Sequence, residues 1–254
     1  MLTFGTNILI LVLVMIASLL LLAVLDRIWP VATRHTQNDL IGWHLSVLGT
    51  IYAVVLGFML YTAWTNFGAA ELNADLEANA LRNIYRLAEG LPPPQRGPLE
   101  MQTRAYAEAV INQDWPVMAR GKIPEGSHQI NERLWKILVS VKASSSSENT
   151  VADHALSELS ALTLHRRTRL LQSVSRLPGI FWAVLLVGGI LTVVSASMFA
   201  SAQPRMRTFL VFSNTLLVTL VLLAIADVDR PFRGWVHVSD YAFVRAREYM
   251  REID

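Results

Sequence analysis

A chain of 254 residues that is 53% hydrophobic and only 17% charged is too apolar for an ordinary soluble domain, in which about a quarter of residues carry charge. The absence of cysteine excludes disulfides, thiolate metal sites and a cysteine nucleophile. The net charge of +2, with no basic face studded by aromatic residues, gives no surface for nucleic acid.

Four uncharged apolar runs carry the excess: residues 7–25, 41–64, 178–202 and 208–226. Each is about 19 residues or longer, and roughly 20 helical residues cross a hydrocarbon core of about 30 Å. All 22 basic and 20 acidic residues lie outside them. The first run has no basic leader and no small-x-small cleavage site before Asp26, so it reads as a retained span. Trp29, Trp43, Trp64, Trp182 and Trp235 mark helix ends, where amphipathic rings sit at the headgroup level. From Trp43 to Trp64 a helix rises about 32 Å, enough to cross with little tilt.

The predicted class is an all-α membrane protein with four transmembrane helices and a helical cytoplasmic domain between the second and third spans. The predicted divisions are residues 1–64 for the first two spans, 65–177 for the domain, 178–226 for the last two spans and 227–254 for a cytoplasmic tail. Orientation follows from basic residues near span ends. Arg27, Arg34, Arg205 and Arg207 flank the loop side; Arg82, Arg166, Arg167, Arg169, Arg176, Arg230, Arg233 and Arg245 flank the other. That bias puts the domain and both termini in the cytoplasm.

Within 65–177, Ala69, Leu72, Leu76, Ala80, Ile84 and Leu87 recur at helical spacing and predict an amphipathic continuation of the second span. Leu91-Pro-Pro-Pro ends it, and Pro98 suits the first turn of the next helix. That helix runs to about Trp115-Pro116. A loop through Gly121 and Pro124, a helix near 129–141, a flexible connector at Ser144–Ser147 and a helix capped by Asn149 or Thr150 complete a bundle of about four helices. Two of them should be rigidly joined to the spans.

Catalytic motifs are missing: GxSxG, the P-loop, GxGxxG and HExxH do not occur, which argues against an enzyme and leaves no catalytic residues to name. Glu125-Gly-Ser-His128 matches ExxH, but a helical di-iron site needs two such pairs and further carboxylates, so no metal or cofactor is expected. Glu71, Asp75 and Glu77 form an acidic cluster after the second span, either a solvated face or an ion-attracting ring. Arg166-Arg-Thr-Arg169 reads as a lipid-facing or positive-inside basic cluster rather than an anion site, and His44 as interfacial. Asp229-Arg-Pro-Phe-Arg-Gly234 reads as a turn with local salt bridges.

The second span has two distinct faces. Gly42, Ser46, Gly49, Ala53 and Gly57 stack at spacings of three and four, a pattern that lets helices approach closely in lipid. Thr50, Val54, Phe58 and Tyr61 form another face, about 100° around the helix.

Several short stretches, in this order, resemble a known family. They are Gly49-Thr-Ile-Tyr-Ala-Val-Val-Leu-Gly-Phe58, Leu81-Arg-Asn-Ile-Tyr-Arg-Leu-Ala88 with Leu91-Pro92, Tyr106-Ala-Glu-Ala-Val110 with Asp114-Trp-Pro116, and Asp229-Arg-Pro-Phe-Arg-Gly234. Together they are similar to the bestrophin-like domain family of bacterial membrane proteins, and more distantly to bestrophin anion channels. The resemblance implies a bacterial inner-membrane homo-oligomer, typically a pentamer, whose partners are the lipid bilayer, its own copies and small inorganic ions. It further implies that the second helix of each subunit lines a central pore, with Thr50, Val54 and Phe58 at the neck. This sequence departs from the pattern in two ways. Of the three neck positions only Phe58 is aromatic and Thr50 is polar; Asp227 and Asp229 lack the dense acidic run of a bestrophin calcium clasp. The leading expectation is therefore a homo-oligomeric ion channel. The alternative is a non-conducting membrane scaffold or sensor whose helical domain binds partners.

Overall fold

The structure, a computed structural model, describes residues 4–252. The described residues are predominantly helical, and no strand occurs among them. Ten α-helices follow in order: α1 (Phe4–Ile28), α2 (Val31–His35), α3 (Asn38–Ala88), α4 (Pro93–Ala109), α5 (Trp115–Ala119), α6 (His128–Val139), α7 (Ser146–Val174), α8 (Gly179–Met198), α9 (Pro204–Val228) and α10 (Tyr241–Glu252), with a π-helical turn at Val110–Asp114 between α4 and α5. Two compact units result. One comprises Met1–Thr65 and Arg176–Asp229, the other Asn66–Ser175 and Arg230–Asp254.

In the first unit, α1, α8 and α9 pack on one another. Helices α1, α3, α8 and α9 are each long and apolar enough to cross a membrane. Their hydroxyls are satisfied internally: Thr192, Ser197 and Thr215 each donate to the carbonyl one turn earlier, at 2.7 to 2.8 Å. That matters in hydrocarbon, where no water can serve an open polar group. Tyr52 joins α3 to α8; its hydroxyl donates to the Leu185 carbonyl at 2.8 Å, and its ring fills the space where Gly188 would carry a Cβ. Asn38 ties the start of α3 to the segment just after α8, donating to the Ala200 carbonyl at 2.6 Å and accepting from the Ala200 amide at 2.9 Å.

In the second unit, α4, α6 and α7 form a bundle, with α10 against α4. Several local readings need correction. Helix α4 begins at Pro93, so Pro98 lies inside it rather than at its start. Ser145, and not Asn149 or Thr150, caps α7: its hydroxyl accepts the Glu148 amide at 3.1 Å, while the Glu148 carboxylate accepts the Ser144 amide at 2.6 Å. The two bonds resemble a capping box, with the carboxylate reaching the residue before the cap, and they make the serine run a helix start rather than a flexible connector. Helix α7 stops at Val174 and α8 begins at Gly179, so α3 alone runs unbroken from a span into the second unit. The face of α3 that is buried there is also different. Leu72 and Leu76 are exposed, while Ala70, Ala74, Glu77, Leu81, Ile84 and Ala88 face inward. Of the apolar positions expected on this face, Ala80 and Ile84 are buried, but Ala69, Leu72 and Leu76 are exposed, because near its start the buried stripe runs through the charged Glu77 instead.

Pro116 explains the π-helical turn. It has no N–H to donate to the carbonyl of Asn112, and its ring would strike that carbonyl in an unbroken α-helix. One widened turn absorbs the conflict and places Asp114 and Trp115 inside the unit, both buried.

Candidate functional site

The part of α3 in the first unit presents three faces. Tyr52 and Leu56 are buried, 5% and 8% exposed, and turn toward the chain's own helices. Thr50, Val54, Phe58 and Tyr61 point outward; Val54, Phe58 and Tyr61 are 53%, 65% and 68% exposed. Ser46, Ala53 and Gly57 are also exposed, Gly42 and Gly49 half-buried. A Cβ placed on Gly49 or Gly57 would meet nothing within 4 Å, and one on Gly42 would only touch Phe199 at 3.6 Å. The small-residue stripe thus makes almost no close approach within the chain. Only 11% of the apolar window of α3 is buried, less than in α1, α8 or α9.

The outward face is less polar than its composition suggests. Ser46 donates to the Gly42 carbonyl, Thr50 to Ser46, Thr62 to Phe58 and Thr65 to Tyr61, at 2.8 to 2.9 Å. Each hydroxyl proton is held by its own helix, which leaves methyl groups and rings facing outward.

In the second unit the acidic cluster divides. Glu71 and Asp75 are exposed, whereas Glu77 is fully buried. Glu77 accepts from Arg169 Nε at 2.7 Å and Nη2 at 3.0 Å, a two-pronged pair. Arg169 Nη2 also donates to Asp114 at 3.1 Å, and the Tyr106 hydroxyl donates to Glu77 at 2.7 Å. Ser127 donates to Asp114 at 2.6 Å and accepts from Arg166 Nε at 2.9 Å. The rings of Trp115 and Phe243 lie 5.4 and 5.8 Å from the Arg169 guanidinium carbon. The charges of buried Glu77, Asp114 and Arg169 and of half-buried Arg166 balance.

The profile of the Bestrophin-like domain family matches residues 12–243. The chain belongs to this family. Its fold is that of a crystallised bacterial bestrophin homologue from Klebsiella pneumoniae: one variant superposes with a TM-score of 0.73 at 10% identity, covering 96% of this chain and 98% of the other. A second variant of that homologue gives 0.66 at 12% identity, covering 94% and 96%. A crystallised membrane protein gives 0.65 at 13% identity, covering 98% and 99%. No curated protein matches the sequence.

This Bestrophin-like protein uses its acidic and basic residues differently from what spacing alone suggests. Arg169, read as part of a lipid-facing cluster, is fully buried in the second unit. Burial works against its charge, but the Glu77 carboxylate, with Tyr106 and Asp114, holds its pKa above the ordinary value. Burial, then the Glu77 charge, pushes the Tyr106 phenol well above its ordinary value too. A phenol whose pKa is raised on folding costs the folded state nothing below its unfolded value, roughly 10, and destabilises it above that. The second unit should therefore lose stability from about pH 10 upward, and Tyr106→Phe should flatten that loss, as read by thermal unfolding between pH 8 and 11.

Asp229, in the turn after α9, accepts the Leu177 amide at 2.8 Å and so anchors the entry to α8. Asp227 accepts from the Asn7 side chain at 2.9 Å. His44 lies 3.5 Å from the Ser195 hydroxyl. His128 opens α6, and among the described residues no three His, Cys, Asp or Glu side chains group to hold a metal. The Glu77–Arg169–Asp114 network itself was missed in the sequence. Its one visible signal was the π-inducing Asp114-Trp-Pro116.

Proposed function

We propose that this chain is a homo-oligomeric ion channel whose α3 helices surround a central pore, with Thr50, Val54, Phe58 and Tyr61 facing the axis. The observation that carries the reading is the outward α3 face: large side chains more than half exposed, beside a small-residue stripe with open space around it. A lone protomer gives neither face a partner. A ring of copies gives both one: Ser46, Ala53 and Gly57 let neighbouring helices approach, and the Phe58 rings meet toward the axis. Rings of apolar side chains, with hydroxyl protons withheld by the helices, form a constriction that gates by dewetting. Membership of the Bestrophin-like family and the shared fold of a bestrophin homologue support this reading. A pentamer, an inner-membrane location and cytoplasmic termini belong to the same proposal, as does the assignment of residues 65–177 to a cytoplasmic domain. Exposed Glu71 and Asp75 would then attract cations near one mouth of the pore, and Glu77 would hold the domain together.

Reconstitution tests it. Liposomes containing the protein should pass chloride, potassium or sodium down a gradient, and Phe58→Ala should increase the flux. A strict monomer in detergent, or no flux of any of the three ions, would leave the scaffold or sensor reading in its place.

A further inference from the structure

At the end of the first unit that holds the α1–α2 connection and the start of α9, three charged side chains share one buried site. Arg34 is fully buried and Arg207 is 7% exposed, while Asp26 between them is 29% exposed. Both guanidiniums donate through Nη2, Arg34 to one oxygen of Asp26 and Arg207 to the other. Arg34 Nη1 also donates to the Ser197 carbonyl at 3.1 Å. Both carboxylate oxygens are then occupied. Three donors are left buried without a protein partner: Arg34 Nε, Arg207 Nε and Arg207 Nη1.

Charge is the decisive quantity. Two buried cations against one anion leave a charge of +1 out of water, which is strongly unfavourable unless something compensates it. The other charged residues of these connections, Arg27, Asp39 and Arg205, are exposed, and none is paired into the site. A water molecule would satisfy donors but not the charge. The first turn of α9, a helix of 25 residues that includes Arg207, adds the partial positive charge of its free amides.

We propose that Arg34 and Arg207 form a single anion-binding site, whose charge Asp26 neutralises only by half. Its occupant is a small inorganic anion or the phosphate of a lipid headgroup, taken up by the donors that Asp26 and Ser197 leave free. The site requires no conduction and stands whether or not α3 lines a pore.

Thermal unfolding of the full chain tests it, at fixed ionic strength in a buffer whose only anion is large and organic. Three arms distinguish the source: chloride titrated into detergent-solubilised protein, inorganic phosphate likewise, and nanodiscs of phosphatidylglycerol against phosphatidylcholine. The wild type should show saturable stabilisation. A response to chloride or phosphate identifies a free anion; a response to phosphatidylglycerol alone identifies a lipid phosphate. Arg207→Gln, which leaves a neutral Arg34–Asp26 pair, should abolish the response. Asp26→Asn raises the excess charge to two and should tighten apparent affinity by about tenfold, equivalent to about 1.4 kcal/mol. No saturable response in any arm, or one that survives Arg207→Gln, overturns the proposal. If Arg207→Gln does not fold, Asp26→Asn decides, and unchanged or weakened affinity counts against the site.

Discussion

Glu77→Ala should destabilise the second unit by about 3–5 kcal/mol, because it leaves the fully buried Arg169 with Asp114 as its one remaining carboxylate. Glu77 supplies both prongs of the two-pronged pair with Arg169 and also receives the Tyr106 hydroxyl, so truncation strands two donors together with a charge. For a unit of this size the loss corresponds to a fall in melting temperature on the order of 10–20 °C. The cost is the penalty of an unpaired charge rather than the net worth of the pair. Glu77→Leu combined with Arg169→Met should accordingly recover much of the loss, since apolar replacements of similar volume often match a buried ion pair. Calorimetry on the single and double variants measures both. A drop of less than about 1 kcal/mol for Glu77→Ala would mean that the network is not closed as described.

That prediction rests on contacts the sequence hid. The four helices long and apolar enough to cross a membrane were legible because about 20 uncharged residues in a row have few alternatives, and the long α3 because helical spacing continues past Trp64. The interior of the second unit was harder to read. Glu77 stands near Glu71 and Asp75 in sequence, but 100° per residue sends it to the opposite side of α3, and nothing local reveals that Arg169 lies opposite, 92 positions away. The basic cluster misled for a similar reason. Arg166 and Arg169 lie three apart on the inward side of α7, while Arg167 is exposed. On the loop side, two of the four arginines counted toward orientation, Arg34 and Arg207, are buried around Asp26. The two faces of α3 were legible as faces. Their occupants were not, because residues that meet another copy of the chain and residues that meet lipid carry the same apolar pattern.

The second large effect concerns assembly. Gly57→Leu should leave the protomer folded and dissociate the oligomer. Within the chain the new side chain meets open space, with nothing within 4 Å of its Cβ, and leucine is the better helix former by about 0.8 kcal/mol. In the proposed ring it adds four carbons where Ser46, Ala53 and Gly57 would permit close approach, and overpacking of that kind costs roughly 1–3 kcal/mol at each interface. Repeated around a ring, the penalty multiplies. Mass measurement of the detergent-solubilised particle should show the wild type as an oligomer and Gly57→Leu as a monomer of unchanged helicity. An intact oligomer would place this stripe against lipid.

The chain's freedom from cysteine allows the proposed pore to be probed without background. Val54→Cys, on the half-exposed face, and Leu56→Cys, on the buried one, are reconstituted in liposomes and treated with a charged, thiol-specific reagent while ion flux is recorded. If Thr50, Val54 and Phe58 face a water-filled axis, the reagent should reduce flux through Val54→Cys severalfold and leave Leu56→Cys and the wild type unchanged. Flux through Val54→Cys that the reagent does not alter, with the thiol shown to be unmodified, would contradict the account: that face of α3 would then look into lipid or protein rather than into a pore.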